Sequence, residues 1–264
     1  MDVAQSDLSS LVDLMRVDPI DGDLFRSTPG PGDGTWLYGG QVAAQALVAA
    51  GQTVEADRLP HSLHGYFLRG GNTARPTQFR VIRDRDGGSF SARRVEASQE
   101  GALIFTMSAS FHRRDEGIDR QVEPIPVAGD PEALEPLVLP RLVSMECRRP
   151  EQPYPEGLLP TRYWARSTAD LSGGPLLNAA VLTYLSDMSN GLMGLHEGPW
   201  PASRSLDHAL WFHRPIRLDD WVLVDLAPHT AAYGRGWYTG TVHTRDGVLG
   251  ASLTQESLFG RSHG

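Results

Sequence analysis

Residues 39–51 read GGQVAAQALVAAG, a run of small helix-forming residues that decides how the rest of the chain is interpreted. Because small side chains permit a short distance between a helix and a sheet, this helix suits a sheet that curls closely around it. The apolar and aromatic segment at 59–71, LPHSLHGYFLRGG, comes next. Residues 79–112 then predict strands that are separated by DGGS and QEG turns.

The second half of the chain repeats this order. The helix-like segment PLLNAAVLTYLSDMS at 175–189 precedes RSLDHALWFHRP at 204–215 and a strand-rich stretch at 221–259. Matching landmarks recur at a nearly constant offset: Arg69 with Arg214, Tyr66 with Trp211, Phe67 with Phe212 and Gly101 with Gly247. One helix followed by several strands, twice, favours an α+β fold with antiparallel sheets. The sequence therefore predicts a double hotdog, in which each antiparallel sheet wraps around a central helix.

The boundaries of the two halves follow from composition. Residues 114–160 are dense in proline and charge, which is typical of a linker draped on the surface, with a short helix near residues 130–138. The prediction is an N-terminal hotdog at 1–113, this linker, and a C-terminal hotdog at 161–264.

Bulk composition excludes several functions. The net charge of −8 argues against nucleic-acid binding, which needs a basic surface. No apolar run approaches the ~18 residues of a membrane span, and the N-terminus has no secretion signal, so we expect a cytoplasmic protein that does not bind membranes. The lone Cys147 fits a reducing compartment. All 24 basic residues are arginine, which rules out Schiff-base chemistry and a lysine-dependent phosphate loop.

Common catalytic motifs are missing from the sequence. No G-x-S-x-G elbow is present, and HEGPW at 196–200 lacks the second histidine of a zinc-binding helix. His208 and His213 are five residues apart in a predicted strand, so they are expected on opposite faces. We therefore expect no metal.

One acidic residue stands out in the second predicted helix, which we place from Leu176 to about Asn190. Its apolar side carries Leu177, Val181, Leu185 and Met188, and a second stripe carries Thr183, Asp187 and Asn190. The stripe alone is typical of a solvated helix face. The first helix, however, has Ala49 and Ala50 near the position of Asp187, so an equivalent sheet would enclose an acid that only one half possesses.

The same asymmetry appears at two further positions. Ser205 falls near Pro60 of the first half, and Gln255 falls near Ala109. Either side chain alone could face water from a strand. Their joint occurrence with Asp187 favours a functional site in the second half.

These segments together resemble the acyl-CoA thioesterase II family of double-hotdog proteins. The resemblance is carried by YGGQVAAQAL, PHSLHGYFLRGG, GGSFSARRVEASQEGALIFTMSASF, YLSDMS, SLDHALWFHRP and DGVLGASLTQESL, which cover most of the chain outside the linker. The resemblance implies a catalytic group of Asp187, Ser205 and Gln255, matched at all three positions. It also implies acyl-CoA as the substrate, no cofactor beyond the CoA of that substrate, and assembly into a homodimer or larger homo-oligomer.

Two other functions remain open at this point. A hotdog hydratase or dehydratase would pair an aspartate with a histidine, for which His208 and His64 are candidates. A non-catalytic acyl-CoA binding module would give Asp187, Ser205 and Gln255 no reason to occur together.

Overall fold

The computed structural model describes residues 11–29, 36–154, 159–188, 191–195 and 202–259. Three α-helices and fourteen strands are assigned within these ranges. The helices are α1 (Leu11–Met15), α2 (Gly39–Gly51) and α3 (Pro175–Ser186). The strands are β1 (Val17–Asp21), β2 (Leu24–Ser27), β3 (Arg58–Phe67), β4 (Gln78–Asp86), β5 (Phe90–Gln99), β6 (Ala102–Arg113), β7 (Pro136–Leu137), β8 (Met145–Arg148), β9 (Arg162–Ser167), β10 (Ala202–Ser205), β11 (Asp207–Phe212), β12 (Val222–Ala232), β13 (Arg235–Thr244) and β14 (Leu249–Phe259).

The strands form one antiparallel sheet, and outward from its centre the strand order in one half nearly mirrors the order in the other. The order is β1-β2-β4-β5-β6-β3-β11-β14-β13-β12-β9-β8-β7, with β10 paired to β14. The halves meet where β3 pairs with β11, and Ala209 lies directly opposite His64 there. Those two residues occupy matching positions of the repeat, so an approximate two-fold axis passes between them. This architecture confirms the predicted α+β double hotdog.

Helix α2 is buried on nearly all sides, as its alanine content predicts. It runs antiparallel to α3 because its first residue, Gly39, meets Asp187, and its last, Gly51, meets Leu176. The two helices approach very closely at both ends. A Cβ on Gly40 would lie 2.5 Å from the carbonyl oxygen of Tyr184, so only glycine fits there.

The turn that the sequence predicts at Gln99–Gly101 is a tight hairpin between β5 and β6. Glu100 and Gly101 both have positive φ, 50° and 80°, as a two-residue hairpin turn of the I′ type requires. Its counterpart Gly247 also has a positive φ, 90°, which agrees with the repeat that pairs these two glycines.

Helix α3 is shorter than the sequence predicts. Pro175 occupies its first turn, where a missing N–H does no harm, and the helix ends at Ser186 with Asp187 as the C-cap. Asn190, the last residue of the predicted stripe, lies outside the described residues. Thr183 is fully buried and its hydroxyl donates to the Ala179 carbonyl, so the stripe is not solvated at this position.

The predicted linker contains regular structure of its own. A 3₁₀ turn at Pro131–Ala133 is capped by the side chain of Asp130, near the short helix that the sequence predicts. Strands β7 and β8 follow it, and β8 pairs with β9 at the edge of the second half's sheet. Within the described ranges, none of the helices could span a membrane.

Candidate active site

Asp187 lies where the end of α3 meets the start of α2. Its Oδ2 would be 2.6 Å from a Cβ placed on Gly39, and the Phe67 ring would be 2.9 Å from the same Cβ. Glycine at position 39 therefore lets the carboxylate lie against the backbone of the first turn of α2. The free N–H groups of that turn, together with the helix dipole, favour a negative charge at this place.

The carboxylate of Asp187 is only partly satisfied by the protein. The backbone N–H of Gly40 and the side chain of Gln255 donate hydrogen bonds to it. Its Oδ1 is buried and has no hydrogen-bond partner among the described residues. Burial raises the pKa of Asp187 above its ordinary value, against the opposing effects of the His208 charge, these two hydrogen bonds and Arg141.

Gln255 and Ser205 complete a cluster with Asp187. Gln255 is buried on β14, and its Nε2 donates to the Oγ of Ser205 at 2.5 Å. Ser205 ends β10, and Leu206 separates it from β11. The first half has a register shift in β3 at the same place, between Pro60 and Ser62. The fold thus brings all three sequence-predicted side chains together.

A fourth side chain, His208, belongs to the same cluster. It is fully buried on β11, with Nδ1 2.6 Å from Oε1 of Gln255 and Nε2 2.8 Å from Oγ of Ser186. From the sequence, His208 is a candidate only as a metal ligand or as the partner of the aspartate in a dehydratase. The signal that could have found it is its counterpart, Leu63, because a histidine that replaces a core leucine needs partners for both ring nitrogens.

Two buried tyrosines hold the end of α3 in place. The hydroxyl of Tyr38 donates to the Tyr184 carbonyl at 2.6 Å, and that of Tyr163 donates to the Leu185 carbonyl at 3.2 Å. These carbonyls belong to the last turn, where a helix lacks its own donors. Burial, with the nearby charge of Asp187, raises the pKa of both tyrosines well above the usual value, so both stay protonated donors.

His64 is remote from this cluster. Its Nε2 lies 2.9 Å from Oδ2 of Asp207, and the imidazole is substantially exposed on the outer face of the sheet. The pairing of Asp187 with His64 that a dehydratase could use is therefore wrong. The second candidate, His208, has both ring nitrogens occupied by protein atoms, so it has none left for a substrate.

No group of three or more metal-ligating side chains occurs within the described ranges. His196 and Glu197 of the HEGPW segment lie outside those ranges. Cys147 is buried, and burial raises its pKa to about 12, which leaves an unreactive thiol.

Comparisons with known proteins agree with this fold. The acyl-CoA thioesterase N-terminal domain family matches residues 28–112, and the acyl-CoA thioesterase C-terminal domain family matches residues 119–259. Human acyl-coenzyme A thioesterase 8 is 32% identical, over 93% of this chain and 87% of the relative. Acyl-CoA thioesterase 2 of Haemophilus influenzae is 31% identical, over 96% of this chain and 97% of the relative.

A solved structure of an acyl-CoA thioesterase II is also similar to this chain. The acyl-CoA thioesterase II TesB2 of Mycobacterium marinum is 33% identical and superposes with a TM-score of 0.80, over 96% of this chain and 97% of that one. The match spans both halves and the segment between them. The chain therefore belongs to the acyl-CoA thioesterase II family and is a thioester hydrolase.

Proposed function

We propose that the protein hydrolyses fatty acyl-CoA to free fatty acid and CoA by direct attack of a water molecule that Asp187 holds. The observation that carries this proposal is Oδ1 of Asp187, a buried acceptor without a hydrogen-bond partner among the described residues, in a cluster that otherwise satisfies its polar groups. A buried carboxylate oxygen without a partner is costly, by ~1–3 kcal/mol or more. A water molecule bound to Oδ1 would remove this cost and would be ready to react.

In the chemical step, Asp187 acts as a general base. The water oxygen attacks the thioester carbonyl while the water proton moves to the carboxylate. The tetrahedral intermediate then collapses, the carbon–sulfur bond breaks, and the CoA thiolate leaves and takes up the proton that Asp187 accepted, which restores the ionised carboxylate. Because burial raises the pKa of Asp187, the residue is a stronger base than an exposed aspartate.

Ser205 and Gln255 orient the water and the carboxylate. Both protons of the Gln255 amide are engaged, one by the Ser205 hydroxyl and one by Asp187. The Ser205 oxygen accepts one of them, which leaves its own proton to donate to the water. No side chain in the cluster needs to form a covalent intermediate.

The first turn of α2 supplies the donor for the oxyanion. Gly40 N–H already donates to Asp187, so the neighbouring amide at the same helix start, Gly39 N–H, is the donor that we assign to the oxyanion. Neither amide has a carbonyl partner within its own helix. An oxyanion that forms beside Asp187 therefore meets a helix N-terminus, which favours negative charge.

A thiol-release assay on a panel of acyl-CoA esters of increasing chain length tests the proposal. We expect free CoA from at least part of the panel, and the profile of rates identifies the preferred chain length. Matched thioesters of an acyl carrier protein distinguish the two thiol carriers. Binding without turnover across the whole panel would contradict the proposal, and so would loss of enoyl-CoA absorbance without thiol release.

The expected setting of this activity is also a proposal. The outer face of the joined sheet carries the exposed aromatic side chains of Tyr66, Trp211 and Trp237. We expect a second copy to pack on this face and form a homodimer or larger assembly in the cytoplasm, without membrane or nucleic-acid partners. Light scattering of the purified protein measures the assembly, and a monomer at micromolar concentration would contradict it.

A further inference from the structure

The nitrogen and the oxygen of the Gln255 amide have different hydrogen-bond partners, so the orientation of the amide matters. Its Nε2 donates to Ser205 and to the Asp187 carboxylate, whereas its Oε1 lies 2.6 Å from Nδ1 of His208. With the amide rotated by 180°, Oε1 would face the carboxylate, which can only accept hydrogen bonds when it is ionised. Something must hold the amide in the productive orientation.

His208 meets this requirement only if Nδ1 carries a proton. Oε1 of Gln255 is an acceptor, so a bond of 2.6 Å to it requires a donor on the histidine. The other ring nitrogen, Nε2, lies 2.8 Å from the hydroxyl oxygen of Ser186. That hydroxyl is also 2.9 Å from the Thr183 carbonyl.

The single proton of Ser186 leaves two arrangements. If Ser186 donates to Nε2, His208 is neutral and its proton is on Nδ1. If Ser186 donates to the Thr183 carbonyl, Nε2 must donate to Ser186, and His208 is an imidazolium with protons on both nitrogens. In each arrangement Nδ1–H faces Oε1 of Gln255, so the conclusion does not depend on the charge of the ring.

The first half of the molecule shows that the fold itself does not need this histidine. Leu63 lies directly opposite Ala109 across β3 and β6, and both are buried. In the second half β11 and β14 are paired with Ala209 opposite Thr254, and the next residue along each strand, His208 and Gln255, occupies the matching position. An apolar pair thus fills the same place in one half, and a hydrogen-bonded polar pair fills it in the other.

We propose that His208 is a positioning residue, whose Nδ1–H fixes the amide of Gln255 so that its donors face Asp187 and Ser205. This inference rests on the proposed function and adds to it a fourth residue that does not touch the substrate. Ser186 acts behind His208 and holds the imidazole through Nε2.

Two substitutions separate the roles of the two ring nitrogens. In H208N the side-chain Nδ2 occupies about the position of Nδ1 and can donate to Oε1 of Gln255. In H208Q the side-chain amide reaches the position of Nε2 and can bond to Ser186 but not to Gln255. We expect H208N to keep kcat within about threefold of the wild type, and H208Q to lose at least about 20-fold in kcat at a KM within about threefold.

The melting temperatures of H208N and H208Q show whether a loss of kcat follows from a loss of stability. A purely structural role of His208 would make the two losses run in parallel. If kcat falls equally in H208N and H208Q, in step with the loss of thermal stability, the positioning role is wrong. S186A, which removes only the contact behind Nε2, is expected to lower kcat less than H208Q does. A larger loss in S186A than in H208Q would also contradict the proposal.

A measurement on the wild-type protein needs neither a variant nor turnover. Nitrogen-15 NMR of histidine-labelled protein reports which ring nitrogens of His208 carry protons, with H208N used to assign the signal. We expect a protonated Nδ1 throughout the pH range in which the protein is folded. An unprotonated Nδ1 would overturn the inference even in an active enzyme. An inactive wild type with a protonated Nδ1 would instead contradict the proposed function alone.

Discussion

The two halves of the molecule follow one chain path and differ at the end of one helix. At the mirror end, α2 finishes with Ala50 and Gly51, and a Cβ on Gly51 would lie 2.5 Å from the side chain of Leu176. At the candidate active site, α3 finishes with Ser186 and Asp187, and the space against α2 is taken by a carboxylate. The same backbone geometry is thus packed with hydrocarbon at one end and with a hydrogen-bonded cluster at the other.

The difference shows where the fold can accept polar groups without losing its core. In the first half the positions that match His208 and Gln255 are filled by Leu63 and Ala109, so the fold does not require polar side chains at these places. The second half buries the amide of Gln255, the imidazole of His208 and one carboxylate oxygen of Asp187 at matching places, and buried polar groups lower stability unless they are fully paired. This difference supports the proposal that the cluster serves catalysis rather than folding. The following variants can break or sharpen that comparison.

The largest effect is expected from D187N. The substitution keeps the shape of the side chain but removes the base, so kcat should fall by about 10³-fold or more. The matched control is D207N, at an outward-facing acid on β11 that bonds to His64. D207N should retain kcat within about threefold, because Asp207 has no part in the proposed chemical step. Thiol release by a folded D187N at the wild-type rate would contradict the assignment.

The two helix ends can be compared directly with G39A and G51A. A methyl group at position 39 would collide with the Asp187 carboxylate and with Phe67, so we expect kcat to fall by about 10²-fold. A methyl group at position 51 meets only the side chain of Leu176 among its nearest neighbours. G51A should therefore lower the melting temperature and leave kcat nearly unchanged. Equal losses of activity in both variants would show that the two ends are not functionally distinct.

A smaller effect is expected from S205A. Removal of the hydroxyl leaves Gln255 Nε2 without one acceptor and the water without one donor, so kcat should fall by about 10- to 100-fold. S257A is the control, since Ser257 pairs with Ser205 across β10 and β14. The Ser257 hydroxyl is buried without a hydrogen-bond partner in the described part of the chain. S257A should keep full activity, and its free energy of unfolding should stay the same or rise. If S257A lost as much activity as S205A, the damage would come from strand packing.

The smallest effect is expected in the pH dependence, and its direction follows from the raised pKa of Asp187. Burial raises the pKa of Asp187, and the base must be ionised to act. As the pH is lowered, kcat/KM should therefore begin to fall at a pH above the ordinary carboxyl pKa of 3.8. A raised folded-state pKa means that the folded protein binds the proton more tightly than the unfolded chain. This group therefore lowers stability as pH rises from 3.8 through its raised pKa.

The matching variant checks that sign. D187N cannot ionise, so it should be more stable than the wild type at neutral pH, and the advantage should shrink as the pH falls. Chemical denaturation of both proteins at several pH values measures the difference. A wild type that is more stable than D187N at neutral pH would mean that the ionised carboxylate is fully paired in the fold.

Much of the fold follows from features that the sequence displays locally. The alanine run of α2 predicts a helix inside a tightly curled sheet. The nearly constant offset of matching pairs such as Tyr66 and Trp211 predicts the repeat. Both depend on short-range patterns of side-chain size and spacing. The offset also relates Gln255 to Ala109 and Ser205 to Pro60, and comparison of the two halves is what makes the polar residues visible.

Other features depend on contacts that no local pattern records. The end of α3 at Ser186 is stabilised by hydroxyl groups of Tyr38 and Tyr163, which come from distant parts of the chain. Periodicity alone continues the helix beyond that point. The role of His208 is hidden for the same reason, since its partners Gln255 and Ser186 are brought to it by two other elements.

The most direct test of the account is a single turnover in water enriched in oxygen-18, with enzyme in excess over acyl-CoA. Direct attack by a water molecule on Asp187 places one heavy oxygen in the released fatty acid. It leaves the peptide that contains Asp187 unlabelled by mass spectrometry. Heavy oxygen in the Asp187 carboxylate after that turnover would show that the aspartate attacks the thioester itself, and it would contradict the central claim.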